Sequence, residues 1–327
     1  MRGISGRTSG SFLVLVMAGL WAQSTVAGTQ QWDRVCIGVR PWFSQGADQW
    51  TVSFRGVDPD FGLVNGKSEV KWKHVDGTLP VVFATVSLVS WCSIEGAYGS
   101  GSISGSGNTD TDWIDIPSAG FNSEVSQSSA DTDGHTYYYN VNVLFRLNPE
   151  EYFPNTRGRL DLVAGYQHYE DKLRDKNGVQ TVVFDAPVNE PFIGLDSTFD
   201  FKWDAARLGL REEYPLLKQL WLQADATGLL LLSYKGEGFW NLRDDLLPTS
   251  PNFTQKGGDG YGADLRAGLE FRPFQYVSIE AGYWWFWLQA RDAKETTFFA
   301  DNTSSEEDVD KVESTRQGFY AGVRANF

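Results

Sequence analysis

Carboxylates are concentrated in one stretch of the sequence where they could do chemistry. The stretch holds Asp110, Asp112, Asp115, Asp131 and Asp133. Clustered carboxylate oxygens suit a hard cation such as calcium. The same composition is typical of a solvated acidic loop that keeps neighbouring molecules apart. The second interpretation is the simpler one, and we expect no metal here.

Other catalytic motifs are missing from the sequence. It contains no phosphate-binding glycine loop, no zinc-ligand spacing and no serine nucleophile elbow. Its only histidines are His74, His135 and His168. Histidine is the commonest general base near neutral pH, so candidates for that role are few. We expect no cofactor.

The composition excludes several classes of protein. The chain has 42 acidic and 28 basic residues and a formal charge of -14, which argues against a nucleic-acid partner because such binding depends on basic contacts to phosphate. Its hydrophobic content of 41% is ample for a packed structure. The longest apolar run beyond the N-terminus, 79–91, is interrupted by Thr85, Ser87 and Ser90, so no transmembrane helix is predicted.

The N-terminus has the pattern of a secretory signal. Arg2 and Arg7 precede an apolar segment from Phe12 to Ala22, and the small residues at 25–27 form a cleavage site. We expect a cleaved signal peptide at 1–27 and one exported domain at 28–327. Export to an oxidising compartment would allow a disulfide between Cys36 and Cys92, and two unpaired, inert cysteines are the alternative.

Apolar and polar residues alternate with a period of two in several segments. At 319–327 one face carries Phe319, Ala321, Val323, Ala325 and Phe327, and the other carries Tyr320, Gly322, Arg324 and Asn326. Segments 137–146 and 263–272 repeat the pattern. Such strands fit a soluble sandwich, with the charged face in water, or a membrane barrel, with the apolar face in lipid and the charged face in the lumen.

Three features favour the barrel. The segments run to ten or more residues, longer than usual soluble strands, and the connections between them alternate between long and short. Aromatic Tyr283, Trp285 and Trp287 share the outward face of one strand with Val277, which fits a membrane span of roughly 23 Å. We therefore predict an all-β, antiparallel up-and-down transmembrane β-barrel of about ten strands in the bacterial outer membrane.

The predicted strands alternate with long outer connections and short turns. The strands lie near 31–57, 67–87, 91–102, 135–147, 158–172, 198–214, 219–236, 260–272, 275–291 and 316–327. The long connections are 58–66, 103–134, 173–197, 237–259 and 292–315, and the last contains the acidic run 301–313. In a barrel of this size side chains fill most of the lumen, so an open pore is not expected. The following inward residues can form a charge network: Asp264, Arg266, Glu270, Arg272, Glu280 and Arg324.

Four sequence segments resemble the omptins, a family of ten-stranded outer-membrane proteases that bind lipopolysaccharide. The segments are Ser-Glu-Val-Lys-Trp-Lys at 68–73, Asp-Thr-Asp-Trp-Ile-Asp at 110–115, Arg-Leu-Asp-Leu-Val-Ala-Gly-Tyr-Gln at 159–167, and Ala-Gly-Val-Arg-Ala-Asn-Phe at 321–327. They occur in the same order as in that family. The Asp-x-Asp-Trp and Ala-Gly-Tyr-Gln pieces are the most specific of them.

The resemblance implies a candidate site. Asp110 and Asp112 match the omptin aspartate pair, which in that family faces an aspartate and a histidine on the fourth outer loop across a bound water. Here the fourth loop, at 236–245, has no histidine. Asp244 or Asp245 could instead approach the first pair and share a proton with it, as in aspartic proteases.

The histidines are poor substitutes for the missing one. His168 has the parity of Tyr166 and should face outward at the level of lipid or lipopolysaccharide. His135 lies at a loop edge, and His74 lies down the second strand. Tyr166 matches an omptin position that helps to hold lipopolysaccharide, but the charged partners downstream are replaced by His168, Tyr169 and Glu170.

These observations predict a surface-exposed structural or interaction barrel that is not an active omptin-type protease. The alternatives are an aspartic-type endopeptidase with an altered catalytic site, and a narrow channel. Expected partners are outer-membrane lipid, with lipopolysaccharide as a candidate, and a peptide or protein ligand at the outer loops.

Overall fold

The structure is a computed structural model that describes residues 35–58, 62–149, 152, 158–257 and 259–327. The predicted signal peptide at 1–27 lies outside these residues. Within them, no helix is long and apolar enough to cross a membrane.

The described chain is all β apart from one 3₁₀ turn at Pro117–Ala119. Its strands are β1 (Val35–Asp58), β2 (Gly62–Lys73), β3 (Asp76–Val89), β4 (Cys92–Ile116), β5 (Phe121–Arg146), β6 (Arg159–Val183), β7 (Ala186–Pro191), β8 (Asp196–Pro215), β9 (Leu220–Phe239), β10 (Phe253–Gly257), β11 (Asp259–Phe274), β12 (Val277–Arg291), β13 (Ala293–Phe298) and β14 (Ser304–Asn326).

All fourteen strands belong to one antiparallel sheet. The long strands pair with their neighbours in chain order, from β4 through β5, β6, β8, β9, β11 and β12 to β14. β1 pairs with β2 and β3 along one edge and with β14 along the other, from Cys36 opposite Asn326 to Ser53 opposite Asp308. The first and last strands of the sheet are therefore neighbours.

The strand count is larger than the predicted value of about ten. One long strand is interrupted at His74, whose φ of 53° is left-handed, so that β2 and β3 follow each other along β1. Three short strands, β7, β10 and β13, lie in segments that were predicted to be loops. They pair with adjacent long strands, which satisfies backbone groups that a loop would leave to water.

Much of the predicted outer loop structure is also β-strand. β4 continues to Ile116 and β5 begins at Phe121, so the segment 103–134 is mainly a strand pair. The acidic run 301–313 was predicted to be a solvated outer loop, but most of it belongs to β14 and pairs with β13 and β1. Polar residues on both faces hide the period-two signal in these extensions.

The two faces of the sheet have opposite chemistry. On β11, Leu265, Leu269 and Phe271 are exposed, whereas Asp264 and Glu270 are buried. This is the sidedness that the alternation predicted, with apolar residues outward and ionic residues inward. A soluble protein buries its apolar face, so this arrangement is the inverse of an aqueous fold.

Ion pairs cross the interior between strands that are not neighbours in the sheet. Arg211 donates to both carboxylate oxygens of Glu95 at 2.7 and 2.8 Å and to Asp225 at 2.8 Å. Arg40 pairs with Glu280 at 2.5 Å. All six predicted inward residues take part in this network: Asp264, Arg266, Glu270, Arg272, Glu280 and Arg324.

Aromatic side chains fill the interior beyond the ion pairs, toward the outer ends of the strands. Trp72 lies 5.3 Å from both Phe199 and Phe201, measured between ring centroids. Phe253 lies 5.5 Å from Phe199 and 6.3 Å from Trp50. This aromatic layer was not predicted from the sequence, because an apolar residue can face either lipid or a packed lumen. Cys36 and Cys92 are not disulfide-bonded.

Candidate functional site

Asp110 and Asp112 lie side by side on the inner face of β4, near its outer end. Asp112 stands between Ser68 of β2 and Ser126 of β5 in the sheet register. Both hydroxyls hydrogen-bond to its carboxylate. Asp110 is one inward position deeper, toward the aromatic layer.

Burial controls the ionisation of this carboxyl pair. Burial, together with the negative charges of Asp112 and Asp175, raises the pKa of Asp110 to about 8. Burial also raises the pKa of Asp112, although the hydroxyls of Ser68 and Ser126 oppose the shift. Two adjacent buried carboxyls cannot both ionise readily, so the pair can hold one proton near neutral pH.

Polar groups surround the pair on the side of the aromatic layer. Asp175 accepts hydrogen bonds from Asn108, from the Trp72 indole at 3.0 Å and from Thr132 at 2.5 Å. The Oδ1 atom of Asp110 is buried and has no hydrogen-bond partner among the described residues. The unpaired oxygen points to Asp110 as the protonated or solvent-bridged member of the pair.

The loop between β9 and β10 folds over the aromatic layer. Trp240 stacks on Phe253 at 5.1 Å, and its backbone nitrogen donates to the Asn252 side chain at 3.0 Å. Leu246 is buried and forms an isolated bridge with Phe299. These contacts fix both ends of the short segment that carries residues 241–245.

Arg243 is the residue of this loop that influences the ionisation of the carboxyl pair. Its positive charge lowers the pKa of both Asp110 and Asp112, in opposition to burial. Its guanidinium also donates to both oxygens of Asp245 at 2.8 and 2.7 Å. Asp244 and Asp245 are exposed, and the carboxylate of Asp245 is engaged by Arg243.

A fourth acid lies on the same interior side. Burial raises the pKa of Glu295 on β13 to about 7, and Gln255 donates to its carboxylate at 2.7 Å. Its negative charge contributes to the raised pKa of Asp110. Neither Glu295 nor Arg243 was identified from the sequence. The only signal for Arg243 was its position in the loop where omptins carry the histidine.

The five clustered aspartates do not converge on one point. Asp115 accepts from Asn65 at 3.0 Å, whereas Asp131 and Asp133 are exposed and contact Asn177 and Lys176 of β6. Across the described residues, no group of three or more acids, histidines or cysteines is arranged to hold a metal ion.

The histidines lie away from the carboxyl pair. His168 faces outward on β6, stacks on Tyr139 at 4.8 Å and lies 2.8 Å from Asp204. Asp204 also accepts from the Tyr166 hydroxyl. His135 lies outward on β5 beside Tyr137, and His74 is exposed at the break between β2 and β3.

A family comparison matches most of the chain. Residues 49–319 match the model of the family described as Pom, Protochlamydia outer membrane protein. No curated protein matches the sequence.

Among solved structures, the chain is similar to the outer membrane protease OmpT from Escherichia coli. The TM-score is 0.75 at 15% sequence identity, over 93% of this chain and 100% of that chain. The translocator domain of the autotransporter NalP from Neisseria meningitidis matches with a TM-score of 0.36 at 10% identity, over 96% of this chain and 93% of that chain. The OmpT similarity establishes an outer-membrane β-barrel fold and nothing about activity.

Proposed function

The chain belongs to the Protochlamydia outer membrane protein family, and from that premise we propose that it is a sealed, cell-surface interaction barrel without omptin-type protease activity. Its location is the outer membrane. Its interaction surface is the strand extensions and loops at the outer end, which carry the carboxyl pair Asp110–Asp112.

The proposal depends on Arg243, the fourth-loop residue whose positive charge lowers the pKa of Asp110 and Asp112. An omptin-type mechanism requires a neutral imidazole on the fourth loop that takes a proton from water. A guanidinium remains protonated throughout the physiological range and has no acceptor site. Arg243 can hold an anion or stabilise a carboxylate, but it cannot act as the base.

A peptide-cleavage assay tests the proposal. The folded protein, with lipopolysaccharide present, is incubated with a fluorogenic peptide library beside Asp112→Ala. We expect the same background rate for both proteins. If the wild-type protein cleaves a peptide and Asp112→Ala does not, the proposal that the protein lacks protease activity is wrong.

An altered peptidase is the second candidate, because the raised pKa of Asp110 favours it. A protonated carboxyl beside an ionised one is the arrangement that aspartic proteases use to activate water. In that case Asp110→Asn should abolish cleavage as fully as Asp112→Ala. Asp244→Asn and Asp245→Asn would show whether either loop carboxylate joins the pair.

The filled interior supports a sealed barrel rather than a channel. Two interior cavities among the described residues, one beside Arg211 and one beside Arg316, each hold about 10 Å³, at most the space for a single water. Planar-bilayer recordings of the wild-type protein should show no stable conductance steps. Reproducible stepwise currents would favour the channel instead.

A row of lysines on the outer wall supports contact with anionic lipid, including lipopolysaccharide. The lysine row consists of Lys202, Lys235, Lys256 and Lys294, which stand directly opposite one another on β8, β9, β10 and β13. Lys202 pairs with Glu237 at 2.5 Å, and Lys294 pairs with Asp308. Like charges at directly opposite positions destabilise a sheet, and an anionic ligand would remove that cost.

Charge reversal tests this contact. Lys235 and Lys256 have no ion-pair partner among the described residues, so Lys235→Glu with Lys256→Glu leaves the other two pairs intact. We expect at least a tenfold loss of affinity for purified lipopolysaccharide. Lys218→Glu, in the turn at the opposite end, serves as the control. If the double variant and the control bind lipopolysaccharide with equal affinity, lipopolysaccharide does not bind this face.

A further inference from the structure

A groove of about 670 Å³ crosses the outward face of the wall formed by β12, β14, β1, β3 and β4. Its lining residues include Phe43, Thr78, Ser102 and Phe319, all of which are exposed. Their sequence neighbours Trp42, Leu79, Ile103 and Tyr320 are buried in the interior. The groove therefore opens toward the surroundings of the barrel and not toward its lumen.

Irregular strands lie beside the groove. The long strand breaks between β2 and β3 at His74, and β4 has a register shift between Ile103 and Ser106 at the same level. Gly77 lines the groove but has the inward parity of buried Leu79, so it contributes backbone rather than a side chain to the floor. The strand break and the register shift interrupt the regular wall beside this floor.

Aromatic residues form one edge of the groove, next to the exposed apolar surface of the wall. Tyr283, Phe319 and Phe43 are direct cross-strand neighbours on β12, β14 and β1. The rings of Tyr283 and Phe319 are 5.2 Å apart at 83°. Exposed Val39 and Val323 continue the apolar surface below them. This edge fits an acyl chain that runs along the wall.

Uncharged polar groups form the opposite edge. Gln45, Thr78, Ser102 and Ser104 offer hydroxyls and one amide. Among the described residues that line the groove, Asp76 is the one acidic side chain, and none is a lysine, arginine or histidine. A phosphate here would face a carboxylate without a compensating cation. Hydroxyl and amide groups instead match a ligand that is itself rich in hydroxyls.

We propose that this groove binds one molecule of a membrane lipid with an uncharged, sugar-bearing headgroup. The acyl chains lie against Phe43, Phe319 and Tyr283, and the sugar hydroxyls bond to Thr78, Ser102, Ser104 and Gln45. The volume lies within the usual range for small-molecule sites. The site is separate from the lysine row, whose chemistry selects anions, and it depends only on the outer-membrane location.

Native mass spectrometry of the folded, full-length protein in detergent tests the proposal. The probes are diglucosyl diacylglycerol and phosphatidylglycerol with identical acyl chains. We expect the wild-type protein to retain one glycolipid molecule with at least tenfold higher affinity than phosphatidylglycerol. Ser102→Trp fills the groove from its polar edge and should lower the glycolipid affinity at least tenfold.

Ala226→Trp is the matched control, because it adds the same exposed indole to the wall on β9, away from the groove. It should retain the wild-type affinity. Heat-modifiability on a gel shows whether each variant is folded, and Ser104→Trp replaces Ser102→Trp if the latter is not. Equal wild-type affinity for the two lipids, or an unchanged affinity in the folded groove variant, overturns the proposal.

Discussion

Leu229 and Leu230 are adjacent on β9 and occupy opposite environments. Leu229 is 3% exposed and packs in the interior, whereas Leu230 is 64% exposed on the outer face. An exposed leucine alone means little, but Leu232, Leu208 and Leu265 on the same and adjacent strands are also exposed. A continuous apolar outer face of this kind is what a strand in contact with lipid requires.

We predict that Leu230→Arg destabilises the folded protein in bilayers by about 2–4 kcal/mol, because the side chain would enter the hydrocarbon layer. The measurement is the free energy of unfolding by denaturant in lipid vesicles. Leu242→Arg is the control, since Leu242 is exposed in the loop after β9. A tolerated Leu230→Arg would contradict the assigned lipid face.

Removing one partner of a buried ion pair should destabilise the protein strongly. Arg211→Ala leaves Glu95 and Asp225 buried without their shared partner, which costs about 3–5 kcal/mol. Arg174→Ala removes an exposed, solvent-screened pair with Asp196 and should leave the unfolding temperature nearly unchanged. Unfolding temperatures from gel heat-shift assays compare the two. Equal losses would mean that the Arg211 network is solvated.

The ionisation of Asp110 should make stability depend on pH. Its pKa is raised to about 8 in the folded protein, against about 4 in an unfolded chain. A carboxyl with a raised folded pKa stabilises most below its unfolded pKa, and this contribution disappears as the pH rises through the folded value.

We therefore expect the wild-type protein to lose stability between about pH 4 and pH 8, the unfolded and folded pKa values of Asp110, and Asp110→Asn to lose at least about 1.4 kcal/mol less. The measurement is thermal unfolding in detergent across that range. Asp131→Asn, at an exposed position on β5, is the control and should follow the wild type. Identical pH profiles for wild type and Asp110→Asn would argue against a buried, protonated Asp110.

The stacking of Trp240 on Phe253 should hold the loop that carries Arg243. Trp240→Ala should raise the rate of tryptic cleavage after Arg243 at least tenfold, because proteolysis follows local opening. Trp91→Ala, in the exposed turn between β3 and β4, is the matched control. An unchanged cleavage rate would show that Leu246 and Asn252 suffice to anchor the loop.

The side of the sheet on which a residue lies was predicted best, because it depends only on alternation within one strand. Asp264 and Leu265 are neighbours of opposite polarity, and their sides follow directly from the pleat. Trp284 and Trp285 are also neighbours, but both are aromatic, so alternation alone could not show that Trp284 is the one that lies inside. The relation between Arg243 and Asp110 depends on the fold of a loop without periodicity, and only tertiary packing determines it.

The pairing of β1 with β14 has a consequence for the edges of the sheet. Until these strands meet, each presents an edge of unpaired amides and carbonyls that can recruit another chain. In the folded sheet β1 and β14 pair from Cys36 opposite Asn326 to Ser53 opposite Asp308, so over this length neither strand leaves a free edge to which another chain could add.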